Sequence, residues 1–240
     1  MKLSAAIMTH PERSAELAEL LALLDRPTPV YSDPHGPPSG KGDRVWSVAR
    51  EAWLMFDPDA DWHALIQDDA VPCADLLAGL EAALVQIPTS PSIVSPYLGQ
   101  GRTVPVRWER MARDADARRA CWVRSDRVMW GVTLLAPTKI IPEMVAWCDQ
   151  KAGMPDDMRV AAYSRRHELD VYYTWPSLVD HRLVPSLTKH RAADRVARRH
   201  HQGSALDLRW DGPVTMDPMA LRRRPLRSGP HGAARTAVAP

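Results

Sequence analysis

Residues 62–73 of the chain read WHALIQDDAVPC, and this stretch decides the class of fold. An apolar run at 64–66 ends in two adjacent carboxylates, Asp68 and Asp69. Asp75 and the apolar-periodic segment 76–84 follow, so the pattern predicts a strand, an acidic turn and a helix. In an open α/β sheet, ligands bind beyond the carboxyl ends of the strands. Paired acids at that position are suited to hold Mg²⁺ or Mn²⁺, which prefer oxygen ligands.

The acidic pair also has a purely structural interpretation. Aspartate is common in the turn before a helix, where its side-chain oxygen accepts backbone N–H bonds and suits the helix dipole. The pair alone therefore does not separate a metal site from a helix cap, and the decision depends on the rest of the chain.

Composition indicates one globular domain, alone or with a tail. The chain has 240 residues, of which 45% are hydrophobic and 25% charged, and its net charge of +2 gives no general case for nucleic-acid binding. Three widely spaced cysteines, at positions 73, 121 and 148, predict a reducing compartment without a disulfide framework. Neither a signal peptide nor a membrane span is recognisable, so we expect a cytoplasmic protein in a bacterium or a phage-infected cell.

Strand-like and helical patterns alternate along the chain. An apolar run at 3–8, a polar turn at 9–13 and an amphipathic helix open it, and β-rich runs recur at 29–32, 92–97, 128–137 and 169–174. Gly131, inside one of these runs, indicates either a close approach of backbone or ligand, or a bulge. The stretch 108–127 is only weakly periodic and receives no assignment. The alternation predicts an α/β fold in which helices flank a central sheet.

The last fifty residues are rich in Arg and His. We expect residues 188–212 to form an extension that packs on the domain, and residues 213–240 to form a disordered tail. Such a basic end is suited to bind phosphate without sequence preference, although a solvated, disordered tail is the better explanation of its composition.

In order, several segments resemble nucleotide-sugar-dependent glycosyltransferases of the GT-A fold, particularly the lipooligosaccharide glycosyltransferase family and related small enzymes of bacteria and phages. The matching segments read IMTHPER at 7–13, ALIQDDAVPC at 64–73, MWGVTLLAP at 129–137, PDD at 155–157 and TWPSLVDH at 174–181. Together they span roughly residues 3–187. The resemblance implies a single GT-A-like, Rossmann-like domain over residues 1–187, with a mixed central sheet.

The resemblance also implies roles for individual residues. Asp69 and Asp68 would bind a divalent cation, Mn²⁺ or Mg²⁺, that holds the donor diphosphate, and His181 would complete the metal site. Asp157 would be the carboxylate that activates the acceptor. The expected contacts to the nucleotide are Thr9, His10, Arg13, Asp33 and Asp68.

Several of these residues also have a structural interpretation. The Thr9–Arg13 turn is a plausible helix start, and Asp156 with Asp157 suits a helix cap. A histidine at position 181 could simply satisfy a backbone carbonyl. The acidic motif reads QDDA rather than a clean Asp-X-Asp, which leaves open the oxygen that binds the cation.

The sequence therefore predicts a metal-dependent glycosyltransferase with a nucleotide-sugar donor, expected to be a UDP-sugar. The acceptor would be a hydroxyl of a protein, a glycan or a modified DNA base, which for a phage source includes phage proteins and phage DNA. One alternative is a non-catalytic nucleotide- or glycan-binding module of the same fold. A metal-dependent phosphoryl-transfer enzyme ranks last, because the chain lacks a Gly-rich phosphate loop and a His-rich cluster.

Overall fold

A mixed sheet forms the centre of the computed structural model, which describes residues 1–32, 42–87, 91–100, 105–184 and 195–217. The described strands are, in chain order, β1 (Leu3–Thr9), β2 (Val30–Ser32), β3 (Trp62–Gln67), β4 (Ala70–Pro72), β5 (Ser92–Ser95), β6 (Trp122–Ser125), β7 (Thr133–Pro137), β8 (Asp170–Thr174), β9 (Val179–His181) and β10 (Val214–Met216). The described helices are α1 (Ser14–Leu23), α2 (Gly42–Leu54), α3 (Leu76–Leu84), α4 (Pro105–Arg118), α5 (Ile141–Asp149) and α6 (Asp156–Arg166).

Eight strands build this sheet in the order β10-β6-β8-β5-β7-β3-β1-β2. β1 pairs in parallel with both β2 and β3, whereas β7 runs antiparallel to its neighbours β3 and β5. The predicted α/β class with a mixed central sheet flanked by helices is confirmed.

Alternating side chains of the strands supply two apolar layers. Ala6 and Leu65 belong to one layer, which packs against α2, α4, α5 and α6. Ile7 and Ile66 belong to the other layer, which packs against α1, α3 and part of the segment 195–210. Successive residues of a strand point to opposite faces, so the apolar run that opens the sequence argument is buried on both sides.

A two-stranded ribbon beside the main sheet was not predicted. β4 and β9 pair antiparallel, with Ala70 opposite His181 and Pro72 opposite Val179. Each strand has three residues, too few for a periodic signal in the sequence. The ribbon joins segments more than one hundred residues apart and carries His181 to the end of β3.

Two other regions differ from the sequence expectation. The run 128–137 contributes only β7, so Gly131 lies before the strand instead of inside it. The unassigned stretch 108–127 falls within α4 and β6, whose polar and charged residues obscure the apolar periodicity.

The predicted start of a disordered tail at residue 213 is wrong. β10 pairs in parallel with β6 at one edge of the sheet. The next residue, Asp217, is fully buried and its Oδ2 accepts a hydrogen bond from Ser125 Oγ at 2.9 Å. A three-residue strand after a proline gives little local signal, which explains the error. Residues 218–240 lie outside the described residues, and the division between 1–187 and 188–212 stays a prediction.

The helices of the described ranges include none with the length and apolar character needed to cross a membrane.

The contact between α3 and residue 205 gives a test of the packing. A Cβ added at Gly79 would lie 2.2 Å from Ala205 Cβ. We expect Gly79→Ala to lower the free energy of unfolding by about 2 kcal/mol through overpacking, more than the roughly 1 kcal/mol that alanine contributes to a helix. Chemical denaturation would measure the change.

The control for this test is the double variant Gly79→Ala with Ala205→Gly, which moves the methyl group across the contact. We expect it to recover most of the lost stability. If the losses of unfolding free energy from the two substitutions simply add in the double variant, the contact between residues 79 and 205 is contradicted.

Candidate functional site

The parallel pairing of β1 and β3 brings Thr9 beside Asp68. Met8 lies opposite Gln67 in the register, so the next residue of each strand leaves the same edge of the sheet. Asp68 Oδ2 accepts hydrogen bonds from Thr9 Oγ1 and from the His10 backbone N–H, each at 2.9 Å. Two predicted nucleotide contacts therefore also fix the orientation of the first acid.

The turn after β1 adds a positive charge to this edge. Arg13 is buried, and its Nη1 lies 3.0 Å from Glu16 Oε1. Its charge also acts on Asp68 and Asp69. The structure thus brings Arg13, Thr9 and His10 to the acidic pair, as the sequence argument requires. Asp33, the remaining predicted nucleotide contact, lies outside the described residues.

Asp68 carries a carboxyl group that resists ionisation. Burial, followed by the negative charge of Asp69, raises its pKa to about 6. The hydrogen bonds from Thr9 and His10 and the charge of Arg13 act in the opposite direction without cancelling the effect. A cation bound beside this carboxylate would favour its charged form.

Asp69 has one carboxylate oxygen that makes no hydrogen bond among the described residues. Its Oδ2 lies 3.2 Å from His181 Nε2, whereas Oδ1 is buried and has no hydrogen-bond partner among the described residues. Burial opposes ionisation, but His181, Arg195 and Arg13 outweigh it and lower the pKa of Asp69. A buried, charged acceptor without a partner is costly, so Oδ1 points to a bound group.

His181 directs its Nε2 toward Asp69. Its Nδ1 lies 2.7 Å from the Arg182 carbonyl oxygen, which assigns the proton of the neutral ring to Nδ1. In this neutral form Nε2 keeps its lone pair, as in metal-binding histidines whose other nitrogen donates to a carbonyl; a protonated ring instead donates from Nε2 to Asp69. The interpretation of His181 as a residue that satisfies a carbonyl therefore accounts for only one of its two nitrogens.

Asp69 and His181 together form a pair of candidate metal ligands. The described residues contain no group of three or more His, Cys, Asp or Glu side chains that could hold a metal ion. Proteins often bind Mg²⁺ through one or two carboxylates, with waters and substrate phosphates as the other ligands. The pair is suited to a cation that arrives with a phosphate ligand.

A second acidic pair, Asp156 and Asp157, begins α6. Asp156 is buried, and its Oδ2 accepts a hydrogen bond from Gln67 Nε2 at 3.1 Å. Burial and the neighbouring charge of Asp157 raise the pKa of Asp156. Asp157 is half-buried, and its Oδ1 accepts from the Met158 backbone N–H at 2.7 Å. Asp157 is therefore the more accessible carboxylate of the pair.

Gln67 and Gly131 connect the second acidic pair to the end of β3. Gln67 directly precedes Asp68, and its backbone N–H donates to the Val132 carbonyl oxygen at 2.9 Å. A Cβ at Gly131 would lie 3.0 Å from Asp157 Cβ and 3.1 Å from Gln67 Nε2. Glycine at this position thus permits Asp157 and Gln67 to approach the backbone closely, which is one of the two interpretations that the sequence left open.

Two aromatic rings, Tyr97 and Trp130, extend from His181 to the residue that precedes Gly131. The Tyr97 ring lies 6.5 Å from the His181 ring and 5.8 Å from the half-buried Trp130 ring, measured between centroids. Sequence reasoning assigned no role to Gln67, Tyr97, Trp130 or Arg195. Only Gln67 had a local signal, its place before the acids, because the other three reach the site through packing between distant segments.

Comparison with known proteins gives similarity at the level of structure. The sequence matches no protein-family profile and no curated protein. The catalytic domain of Drosophila beta1,4-galactosyltransferase 7 in complex with xylobiose is 13% identical, with a TM-score of 0.47 over 90% of this chain and 92% of that one. A mutant of that enzyme with manganese, UDP-Gal and xylobiose is 13% identical, with a TM-score of 0.44 over 89% and 92%. A197 from STIV is 15% identical, with a TM-score of 0.45 over 82% and 98%.

The raised pKa of Asp68 predicts that this residue limits stability. Its folded pKa of about 6 exceeds the value of about 3.9 in unfolded chains. The folded state therefore binds more protons in this window, and the contribution of Asp68 to stability falls as the pH rises through it. We expect Asp68→Asn, which keeps an acceptor for Thr9 and His10, to raise the free energy of unfolding by about 1–3 kcal/mol at pH 7.5.

Urea unfolding at pH 4 and at pH 7.5 would measure this effect, with the exposed Asp114→Asn as the control. The gain of Asp68→Asn over the native protein should shrink towards pH 4, and the control should show no comparable gain at either pH. An Asp68→Asn variant that is less stable at pH 7.5 would contradict the burial argument.

Proposed function

We propose that this chain is a metal-dependent glycosyltransferase that moves a sugar from a nucleotide-sugar donor to a hydroxyl acceptor. The observation that carries the proposal is the buried Asp69 Oδ1, which has no partner among the described residues, beside the lone pair of His181. Both lie beyond the carboxyl end of β3, where α/β proteins bind ligands. The ordered motifs from residue 7 to 181 that resemble GT-A glycosyltransferases support the same conclusion.

In this proposal, Asp69 and His181 hold Mn²⁺ or Mg²⁺ and Asp68 assists them. The bound cation would act as a Lewis acid that neutralises the charge developing on the diphosphate leaving group. Thr9 and His10 keep Asp68 oriented, while the charge of Arg13 favours the approach of an anionic donor. We propose a UDP-sugar as this donor, and Asp33 as a further contact to its nucleotide.

The second acidic pair would serve the acceptor. Asp157 is the accessible carboxylate, and we assign it the removal of the proton from the attacking hydroxyl. Asp156 and Gln67 support it from the buried side. The acceptor hydroxyl belongs to a protein, a glycan or a modified DNA base. The three described cysteines are buried and unpaired, which suits the reducing cytoplasm of a bacterium or a phage-infected cell.

Donor binding tests the metal site directly. Calorimetry with UDP-, GDP-, ADP-, CMP- and TDP-sugars, in Mn²⁺ or in EDTA, should show metal-dependent binding of one donor. We expect Asp69→Asn and His181→Gln each to weaken this binding by about 10–100-fold, the usual loss when a metal site is disturbed. Asp114→Asn supplies the matched control and should bind like the native protein.

A donor affinity that is the same in Mn²⁺ and in EDTA, and that Asp69→Asn leaves unchanged, would contradict the metal site. Such a result would favour the non-catalytic nucleotide- or glycan-binding module. Hydrolysis of phosphate esters in place of nucleotide sugars would instead favour a phosphoryl-transfer enzyme.

Asp157→Asn separates binding from chemistry. We expect it to bind the donor normally but to release nucleotide from the nucleotide sugar about 10²–10⁴-fold more slowly, because a general base is lost. Turnover with water as the acceptor suffices for this measurement. An unchanged rate would remove Asp157 from the role of base, as expected for a retaining mechanism.

A further inference from the structure

Arg195 lies on the same face of His181 as Asp69. Its Nη1 is 3.1 Å from His181 Nε2, and its positive charge acts on Asp69. Arg195 Nη1 and Asp69 Oδ2, at 3.2 Å from Nε2, therefore both border the lone pair of the ring. A guanidinium group therefore contacts one of the two side chains proposed to hold the divalent cation, and its charge acts on the other.

The lone pair of a neutral imidazole serves one partner at a time. The proton on Nδ1 is directed at the Arg182 carbonyl, so Nε2 is the only ring atom left for a metal or for a donated N–H. Arg195 Nη1 lies 3.1 Å from Nε2 and supplies that N–H when the ring is neutral. A divalent ion bound to Nε2 would have to replace this hydrogen bond and would also repel the adjacent guanidinium charge.

We propose that Arg195 is a built-in competitor of the divalent cation: its guanidinium occupies His181 Nε2, beside Asp69, until the ion displaces it. This inference rests on the proposed function and concerns the regulation of the same site. Arg195 neutralises the buried Asp69 in the metal-free protein. Binding of the ion then becomes an exchange of one cation for another.

The backbone around Arg195 is anchored, so the exchange needs only a movement of its side chain. The Tyr97 hydroxyl donates to the Arg195 carbonyl oxygen. The Gln100 N–H donates to the Val196 carbonyl oxygen at 3.1 Å, and the Ala197 N–H donates to Asp180 Oδ1 at 2.5 Å. These bonds hold the backbone of the segment in place, so displacement by the ion would move the guanidinium and not the segment.

The neighbouring arginines have other partners. Arg198 forms an ion pair with Glu109, and Arg199 forms one with Asp116. Arg199 is exposed and carries the same charge four residues from Arg195. It therefore provides a control that separates the specific contact from a general loss of positive charge.

Mn²⁺ affinity without nucleotide tests the proposal, with free Mn²⁺ measured by electron paramagnetic resonance in the full-length protein. We expect Arg195→Gln to bind Mn²⁺ about tenfold more tightly than the native protein, as for a competing state populated about ten to one. Arg199→Gln should stay within about twofold of the native affinity. Circular dichroism and thermal unfolding would verify that both variants fold.

Adding Asp69→Asn to each variant separates this inference from the proposed function. Loss of the tight binding in Arg195→Gln with Asp69→Asn would place the ion at the site and support the competition. If Arg195→Gln binds no more tightly while Asp69→Asn still abolishes binding, the competition is overturned and the metal site stands. If Asp69→Asn leaves the Mn²⁺ affinity unchanged in the native protein, in Arg195→Gln and in Arg199→Gln, the metal site itself is overturned, and the competition with it.

Discussion

The parallel register between β1 and β3 is the constraint on which the site depends. It places the ends of two buried strands at the same edge of the sheet, so that Thr9 and the His10 backbone meet Asp68. The helices on both faces exclude water from these strands, and the polar groups that follow them concentrate at that edge. A shift of β1 against β3 would separate the acid from its donors and leave a buried carboxylate without hydrogen bonds.

Burial of carboxylates gives this edge its chemical character. Asp68 and Asp156 both have raised pKa values because burial disfavours their charged forms, whereas His181, Arg195 and Arg13 lower the pKa of Asp69 in spite of its burial. The fold holds these acids in an environment that a bound cation or a proton would relieve. Sites with such strained electrostatics are common where proteins bind ligands or perform catalysis. Burial of Asp68 and Asp156 therefore lowers stability at this edge as the pH rises and the two carboxyl groups ionise.

The sequence predicted the parts of the fold with local signals. The runs 3–8 and 64–66 and the helix 76–84 follow from apolar periodicity, and the acids after β3 stand out at once. The ribbon of β4 and β9 was missed, as was β10, because three-residue strands are defined by their partners and not by their own pattern. Arg195 and Tyr97 were missed for the same reason, since their places depend on contacts between distant segments.

The small β4–β9 ribbon determines which side chain meets Asp69. Ala70 lies opposite His181, and the Arg182 N–H donates to the Asp69 carbonyl oxygen at 2.8 Å. Successive residues of a strand point to opposite sides, so a slip of one position would offer Asp180 in place of His181. Two negatively charged carboxylates would then face each other in place of the contact between Asp69 and His181. The register of the three residue pairs between β4 and β9 therefore decides whether Asp69 meets a histidine, which attracts it, or an aspartate, which repels it.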